Sequence, residues 1–303
     1  MGLIRKEDLH DSLFNSLNNT NLIINGDFDI NQRGKSIYGK GYTVDRWLLG
    51  SDADIELHKL DNGVRITGKS TGTWNNFLTR LEISHFKHLI GKTLTLTFKL
   101  LSPTTKVNQI WGLCHNTGND HYYFNYGLLT DPNFYKDGPI SIISKTFTLD
   151  QIYLDGYMEF GIQVTGNAGD SIDIEWAKLE LGNVATPFEP RQYGEELSLC
   201  QRYYEHSTFV TRGLISSDLL RLDFSVIYKQ RKRVNPTLKI YGMNNEEGTI
   251  HGKIPEAINF PIDLLFNDTD GFGGIEIKDK KGQSFVSGEL FEIHGWEADA
   301  EIY

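Results

Sequence analysis

The chain has 303 residues, of which 39% are hydrophobic, 23% charged and 12% aromatic, with 30 glycines. This is a globular composition, long enough for two domains of ordinary size, and it excludes a collagen-like or disordered chain. A formal net charge of −10 argues against binding nucleic acid or other polyanions, and from only two cysteines, Cys114 and Cys200 in separate regions, no disulfide framework or zinc site is read.

The opening MGLIRKEDLHDSLFNSLNN has no apolar run of the secretory kind. Nowhere does the chain reach the roughly 18 apolar residues of a membrane span. A protein made in soluble form, without an export signal of its own and without membrane insertion, is expected. Residues 7 to 18 predict a short helix, with Leu9, Leu13 and Leu17 on one face. Such a helix is marginal alone in water, so its stripe needs a partner: its own domain, a second copy, or an attachment protein.

From Asn21 the texture becomes β. TLTLTFKL (93–100) puts Leu94, Leu96, Phe98 and Leu100 on one face, and MEFGIQV (158–164) does the same with Met158, Phe160, Ile162 and Val164. VRIT (64–67) is a shorter case. Turn signals separate these runs: Asp61-Asn62-Gly63, Ser102-Pro103, Asp137-Gly138-Pro139 and Gly166-Asn167-Ala168-Gly169. Short strands with such turns predict a jelly-roll β-sandwich and argue against a parallel α/β sheet.

The stretch IEWAKLELGNVATPFEPRQYGEELSLCQRYYE (174–205) begins as a strand and ends as a helix. Ile172, Ile174 and Trp176 share even positions, whereas Leu179 and Leu181 continue at odd ones. A period of two changes phase only through an extra residue, so a β-bulge is expected near Ala177-Lys178. Gly182-Asn183 ends the strand, and Pro187 and Pro190 hold the following chain extended. Glu195 and Glu196 suit a first helical turn, and Leu197, Cys200 and Tyr204 fall on one helical face. The expected organisation is residues 1–20 as a helical attachment or oligomerisation segment, 21–190 as the jelly roll, 191–205 as a connector helix, and 206–303 as an antiparallel β-sandwich tip.

In that last part LLRLDFSVIY (219–228) alternates, with Leu220, Leu222, Phe224, Val226 and Tyr228 on one face. PTLKIYG, FPIDLLF, GIEIK and FVSGELFEIHGWEADAEIY follow. The last run slips phase between Phe291, Ile293 and Trp296, Ala298, with Gly295 where a glycine-assisted bulge belongs.

No P-loop, dinucleotide fingerprint or nucleophile elbow is present. His85 and His88 in HFKH read as solvated loop histidines, because a metal site wants more ligands than two. The carboxylate pairs Asp52/Asp54 and Asp268/Asp270 are ordinary loop chemistry. KQRKRV (229–234) reads as a solvated basic face, its alternative being weak attraction to an anionic cell surface. NDHYYFNYG (119–127) is dense in aromatics. A ring with a polar tip stacks on sugar C–H groups and hydrogen-bonds hydroxyls. The glycan-contact candidates are Trp74, Trp111, Tyr122, Tyr123, Tyr126, Tyr241 and Trp296, against a plain reading as strand core.

Three segments together resemble a known family. NLIINGDFDINQRG with YTVDRWLL opens the first β-domain, the 174–205 stretch closes it, and GWEADAEIY ends the chain. The combination is similar to receptor-binding tail-fibre and tail-tip proteins of bacteriophages, prophages and tail-like bacteriocins. The resemblance implies a carbohydrate-binding-module-like jelly roll, a connector helix and a β-rich distal tip. It also implies a homotrimer carried in the virion tail, joined to tail or baseplate through its N-terminus. Its partner would be a bacterial surface glycan or teichoic acid, bound without catalysis. Some such jelly rolls hold a structural Ca²⁺, and here the resemblance points to Asn25, Asp29 and Glu175, although Trp176 stands where a further acid is usual. No other cofactor is implied. A polysaccharide depolymerase, a free-standing carbohydrate-binding module and a ligand-free fibre or baseplate spacer are the alternatives.

Overall fold

The computed structural model describes residues 20–72, 74–104, 106–118, 120–123, 140–153, 155–165, 167–215, 221–252 and 258–303. The predicted helix at 7–18 therefore lies outside the described residues. The chain forms two compact units that divide between Gln192 and Tyr193, with Ile302 grouped with the first.

Among the described residues the first unit is a β-sandwich of twelve strands: β1 (Ile37–Tyr38), β2 (Gly41–Tyr42), β3 (Trp47–Ser51), β4 (Ile55–Lys59), β5 (Val64–Gly68), β6 (Asn75–Glu82), β7 (Thr93–Thr104), β8 (Val107–His115), β9 (His121–Tyr123), β10 (Ile140–Thr148), β11 (Tyr157–Val164) and β12 (Ser171–Leu181). One sheet runs β1-β4-β5-β12-β7-β10 and the other β2-β3-β6-β11-β8-β9, antiparallel throughout. The alternation read from sequence holds. Leu94, Leu96, Phe98, Leu100, Met158, Phe160, Ile162 and Val164 all lie in the core between the sheets.

The NGDF and DRW segments meet in that core. Asn25 adopts a left-handed φ of 57° and its amide closes the turn, donating to the carbonyls of Ile30 and Asp45 and accepting from Ile30 N. The Asn25 carbonyl accepts from the Trp47 indole N–H at 2.8 Å. Trp47 then stacks on Phe77 with centroids 4.6 Å apart and meets Phe28 edge-on at 5.0 Å. Truncating an indole buried in this way costs about 3–5 kcal/mol.

The bulge in β12 exists but sits earlier than expected. Ile174 pairs with Leu100 and Trp176 with Lys99, so Glu175 is the extra residue. The phase flips there, placing Ala177 and Leu179 in the core. Trp176 therefore leaves the face of Ile172 and Ile174 and stacks on Phe188, with centroids 5.3 Å apart.

The second unit opens with the helix Tyr193–Gln201. The helix is shorter than predicted. Tyr204 starts β13 (Tyr204–Ser207) because it pairs with Asp299, and ladder pairing there replaces another helical turn. The strands that follow are β14 (Thr211–Ile215), β15 (Arg221–Ile227), β16 (Thr237–Tyr241), β17 (Thr249–Gly252), β18 (Ile258–Asn267), β19 (Gly271–Ile277), β20 (Leu290–Ile293) and β21 (Gly295–Asp299). β14-β15-β19-β18-β17-β20 close into a barrel, and β13-β21-β16 make a three-stranded sheet. The phase slip at Gly295 is the point where the chain leaves the barrel for that sheet: β20 pairs with β14 and β17, β21 with β13 and β16.

Lys232 corrects the reading of KQRKRV as a wholly solvated face. Lys229, Gln230 and Arg231 are exposed, but Lys232 is buried. Its ammonium reaches Glu205 Oε2 at 2.5 Å and the Gln201 carbonyl at 2.6 Å, and lies 4.6 Å from the Tyr228 ring centre. Desolvation lowers its pKa, against the opposing pull of Glu205.

Candidate functional site: a cleft on one sheet of the first unit

The strands that send one set of side chains into the core present the other set outward. On β8 the outward set is Gln109, Trp111, Leu113 and His115; on β11 it is Glu159, Gly161 and Gln163; on β6 it includes Asn76, Leu78 and Arg80. Register aligns them in rows. Gln163 lies opposite Asn76 and Gln109, Gly161 opposite Leu78 and Trp111, and Glu159 opposite Arg80 and Leu113. From these rows Asn76, Gln109, Trp111, Leu113, His115, Glu159 and Gln163, with Trp74 and His121, line a cleft of about 390 Å³, within the range of about 300–1,000 Å³ typical of small-ligand sites.

Glycine makes room for the floor. A Cβ on Gly161 would lie 2.8 Å from Trp111 Cζ2 and 2.9 Å from Leu78 Cβ. Trp111 is consequently sunk among Leu78 and Leu113, with Leu48 against them. Trp74 stands at the rim, 38% exposed, and a Cβ on Gly50 would lie 3.4 Å from its ring.

The polar groups come in pairs. Gln109 Nε2 donates to Gln163 Oε1 at 2.9 Å. Gln109 Oε1 and Asn76 Oδ1 are buried acceptors without a hydrogen-bond donor among the described residues. At the other end Arg80 Nε donates to Glu159 Oε2 at 2.9 Å, and the guanidinium lies 4.9 Å from the Tyr157 ring centre. Burial works against the Arg80 charge, but the hydrogen bond and charge of Glu159 more than offset it and raise its pKa. Burial also raises the Tyr157 hydroxyl. His115 packs on Tyr157 with centroids 4.5 Å apart, and its Nε2 is 3.8 Å from Glu159 Oε1. The cleft thus offers one exposed indole, Trp74, for stacking, amide side chains along its lining, and a fixed ion pair at one end.

The structure brings together two of the sequence candidates, Trp74 and Trp111. Tyr122 and Tyr123 lie on β9, opposite Cys114 and Leu113 of β8; Tyr126 lies outside the described residues. Tyr241 is on β16 in the second unit, where burial and Glu297 raise its pKa. Trp296 is corrected from ligand contact to core: it is 4% exposed and meets Phe272 at 5.5 Å and Tyr228 at 5.7 Å. The sequence reading missed Asn76, Gln109, His115, Glu159 and Gln163. The available signal was the polar phase of MEFGIQV, Glu-Gly-Gln, opposite its apolar one.

The residues suggested for calcium do not fit that role well. Both ends of the Asn25 amide hold backbone groups. Asp29 is exposed, with Oδ1 3.9 Å from the Lys59 ammonium, and Glu175 is the bulge residue of β12. His85 and His88 are exposed on short turns, as a solvated loop requires.

No protein-family profile and no curated protein sequence matches the chain. Solved structures do. A structure described as "CBM4 structure and function" is 15% identical with a TM-score of 0.34, covering 52% of this chain and 98% of its own. The N-terminal cellulose-binding domain of Cellulomonas fimi β-1,4-glucanase C is 14% identical with a TM-score of 0.32, covering 53% and 96%. The enzymatically active domain of tailspike protein 4 from bacteriophage CBA120 is 14% identical with a TM-score of 0.29, covering 53% of this chain and 21% of that one. Carbohydrate-binding β-sandwiches and a phage tailspike domain are thus among the chains it is similar to.

Proposed function

We propose that the chain is a glycan-binding protein whose cleft on the β6-β11-β8-β9 face receives a surface polysaccharide. The observation that carries this reading is the exposed Trp74 ring at the rim of a cleft that is also lined by Trp111 and the amide side chains of Asn76, Gln109 and Gln163. A pyranose presents C–H faces and hydroxyl donors, and this lining is complementary to both. The reading is of binding without cleavage. Among the described lining residues the cleft holds one carboxylate, Glu159, already paired with Arg80, whereas glycoside hydrolysis ordinarily uses two facing carboxylates.

The biological setting we infer is that of a phage or tail-like-particle receptor-binding protein, carried as a homotrimer in the virion tail and adsorbing to a bacterial surface glycan or teichoic acid. Its support is the sequence resemblance over residues 21–205. Trimerisation would add avidity to weak single sites.

The test is binding of the purified chain to bacterial envelope polysaccharide and teichoic acid, measured beside release of reducing sugar. Trp74→Ala and Gln109→Ala are each expected to weaken glycan binding about tenfold, a change of about 1.4 kcal/mol. Unchanged binding in both variants would remove the cleft as the site. Sugar release would establish the depolymerase alternative.

A further inference from the structure

The barrel of the second unit gathers three metal-ligating side chains that the glycan cleft does not use. His251 on β17 lies directly opposite Glu292 on β20. His294 follows Glu292 by two residues, at the strand switch. One ligand atom from each lies within 4.8 Å of the other two. Their chain neighbours Ile250, Phe291 and Ile293 belong to the barrel core, so the three turn to the opposite face. His251 and Glu292 are sheltered there all the same, at 3% and 7% exposed, while the His294 side chain is 29% exposed.

The carboxylate is oriented. Arg212, opposite Glu292 on β14, donates from Nε to Glu292 Oε1 at 3.0 Å. The second oxygen, Oε2, faces His294 Nε2 at 3.5 Å. That nitrogen is buried and makes no hydrogen bond among the described residues. The two imidazoles meet edge-on, with centroids 5.2 Å apart. The His294 backbone N–H donates to the Tyr241 carbonyl at 2.8 Å, which holds the chain in place at the switch.

We propose that His251, Glu292 and His294 form a divalent transition-metal site, for which Zn²⁺ is the fitting ion. Two imidazoles and one carboxylate are a borderline donor set that suits Zn²⁺, whereas Ca²⁺ and Mg²⁺ take oxygen ligands. Three protein ligands leave a fourth position for water or an external group. Bonds of about 2.1 Å require donors roughly 3.4 Å apart in a tetrahedron, a contraction that side-chain rotation can supply. Arg212 then acts as the outer partner that fixes the carboxylate. The ion would tie β17 to the end of β20, where the chain leaves the barrel.

The test uses the untagged full chain, stripped with chelator and titrated with Zn²⁺ by calorimetry, with Co²⁺ as a spectroscopic probe. One Zn²⁺ per chain is expected, with strong visible Co²⁺ bands of a four- or five-coordinate site. His294→Gln is expected to weaken Zn²⁺ binding at least about 100-fold, and Arg212→Ala by about tenfold. The double change His85→Ala/His88→Ala, at exposed turns, should leave binding unaltered. No Zn²⁺ binding, or binding that survives His294→Gln, overturns the proposal and leaves Glu292 and His294 as a plain ion pair. Should His294→Gln not fold, the wild-type Co²⁺ spectrum decides: weak octahedral bands or none overturn the site.

Discussion

Gly161 shows how one missing side chain shapes the cleft. Its Cβ would press on Trp111 Cζ2, on Leu78 Cβ and on the Phe77 carbonyl, the last also at 2.9 Å. Gly161→Ala is therefore expected to cost about 1–3 kcal/mol of stability by overpacking. By displacing the Trp111 ring it should also weaken glycan binding, which calorimetry on the still-folded variant would show. Asp170 offers a pH test. Lys106, then Thr165 and Asn167, hydrogen-bond its carboxylate and hold its pKa below the ordinary value of 3.8. Lys106 Nζ lies 2.9 Å from Oδ1, and Thr165 Oγ1 donates to Oδ2 at 2.8 Å. A depressed folded pKa means stability that is present above about pH 4 and is lost as pH falls through the folded value. Asp170→Asn should lower the melting temperature at pH 7 and lose that difference at strongly acidic pH. A difference that persists undiminished in acid would show that the ionised form is not the stabilising one.

At the scale of elements, β13 is fixed by more than its ladder to β21. Glu205 on that strand accepts from Lys232 and from the Lys229 backbone N–H, at 3.2 Å on Oε1 and 3.1 Å on Oε2. The pair is buried on both sides, with side-chain exposures of 0% and 1%. Removing one partner of a buried pair strands the other, at about 3–5 kcal/mol. Glu205→Gln should destabilise by that order in denaturant unfolding, and the double change Glu205→Gln/Lys232→Met by distinctly less. Equal losses in the two variants would mean that the lysine charge is not what Glu205 compensates. The bulge at Glu175 belongs to this scale as well. The phase change in IEWAKLEL announced an extra residue, but only pairing with Leu100 and Lys99 located it. Trp176 could not be assigned by alternation alone, since it sits beside the bulge where the period is broken. The helix at EELSLCQ was legible from its acidic first turn; its end was not, because Tyr204 is drawn into a strand by a partner some 95 residues away.

At the scale of the whole molecule, the fibre reading predicts a solution mass three times that of one chain, measured by size exclusion with light scattering. A monomer at micromolar concentration would count against a homotrimer and favour a single binding module. Chelator treatment followed by Ca²⁺ should leave the melting temperature unchanged, since the Asn25 amide is occupied by the backbone groups of Ile30 and Asp45; a rise on adding Ca²⁺ would restore the calcium expectation. The sequence by itself determined the β class, the core faces of β7 and β11, and a change of structure near residue 190. Those features follow from local periodicity and turn chemistry, which need no distant partner. Tertiary structure alone decided that the last strands split between a barrel and a separate sheet, that Trp296 is core while Trp74 is rim, and that Lys232 is buried. It also placed Asn76, Gln109 and Gln163 in one row across three strands. Those outcomes depend on register between segments far apart in the chain, and a period of two says which residues share a face but not what that face will meet.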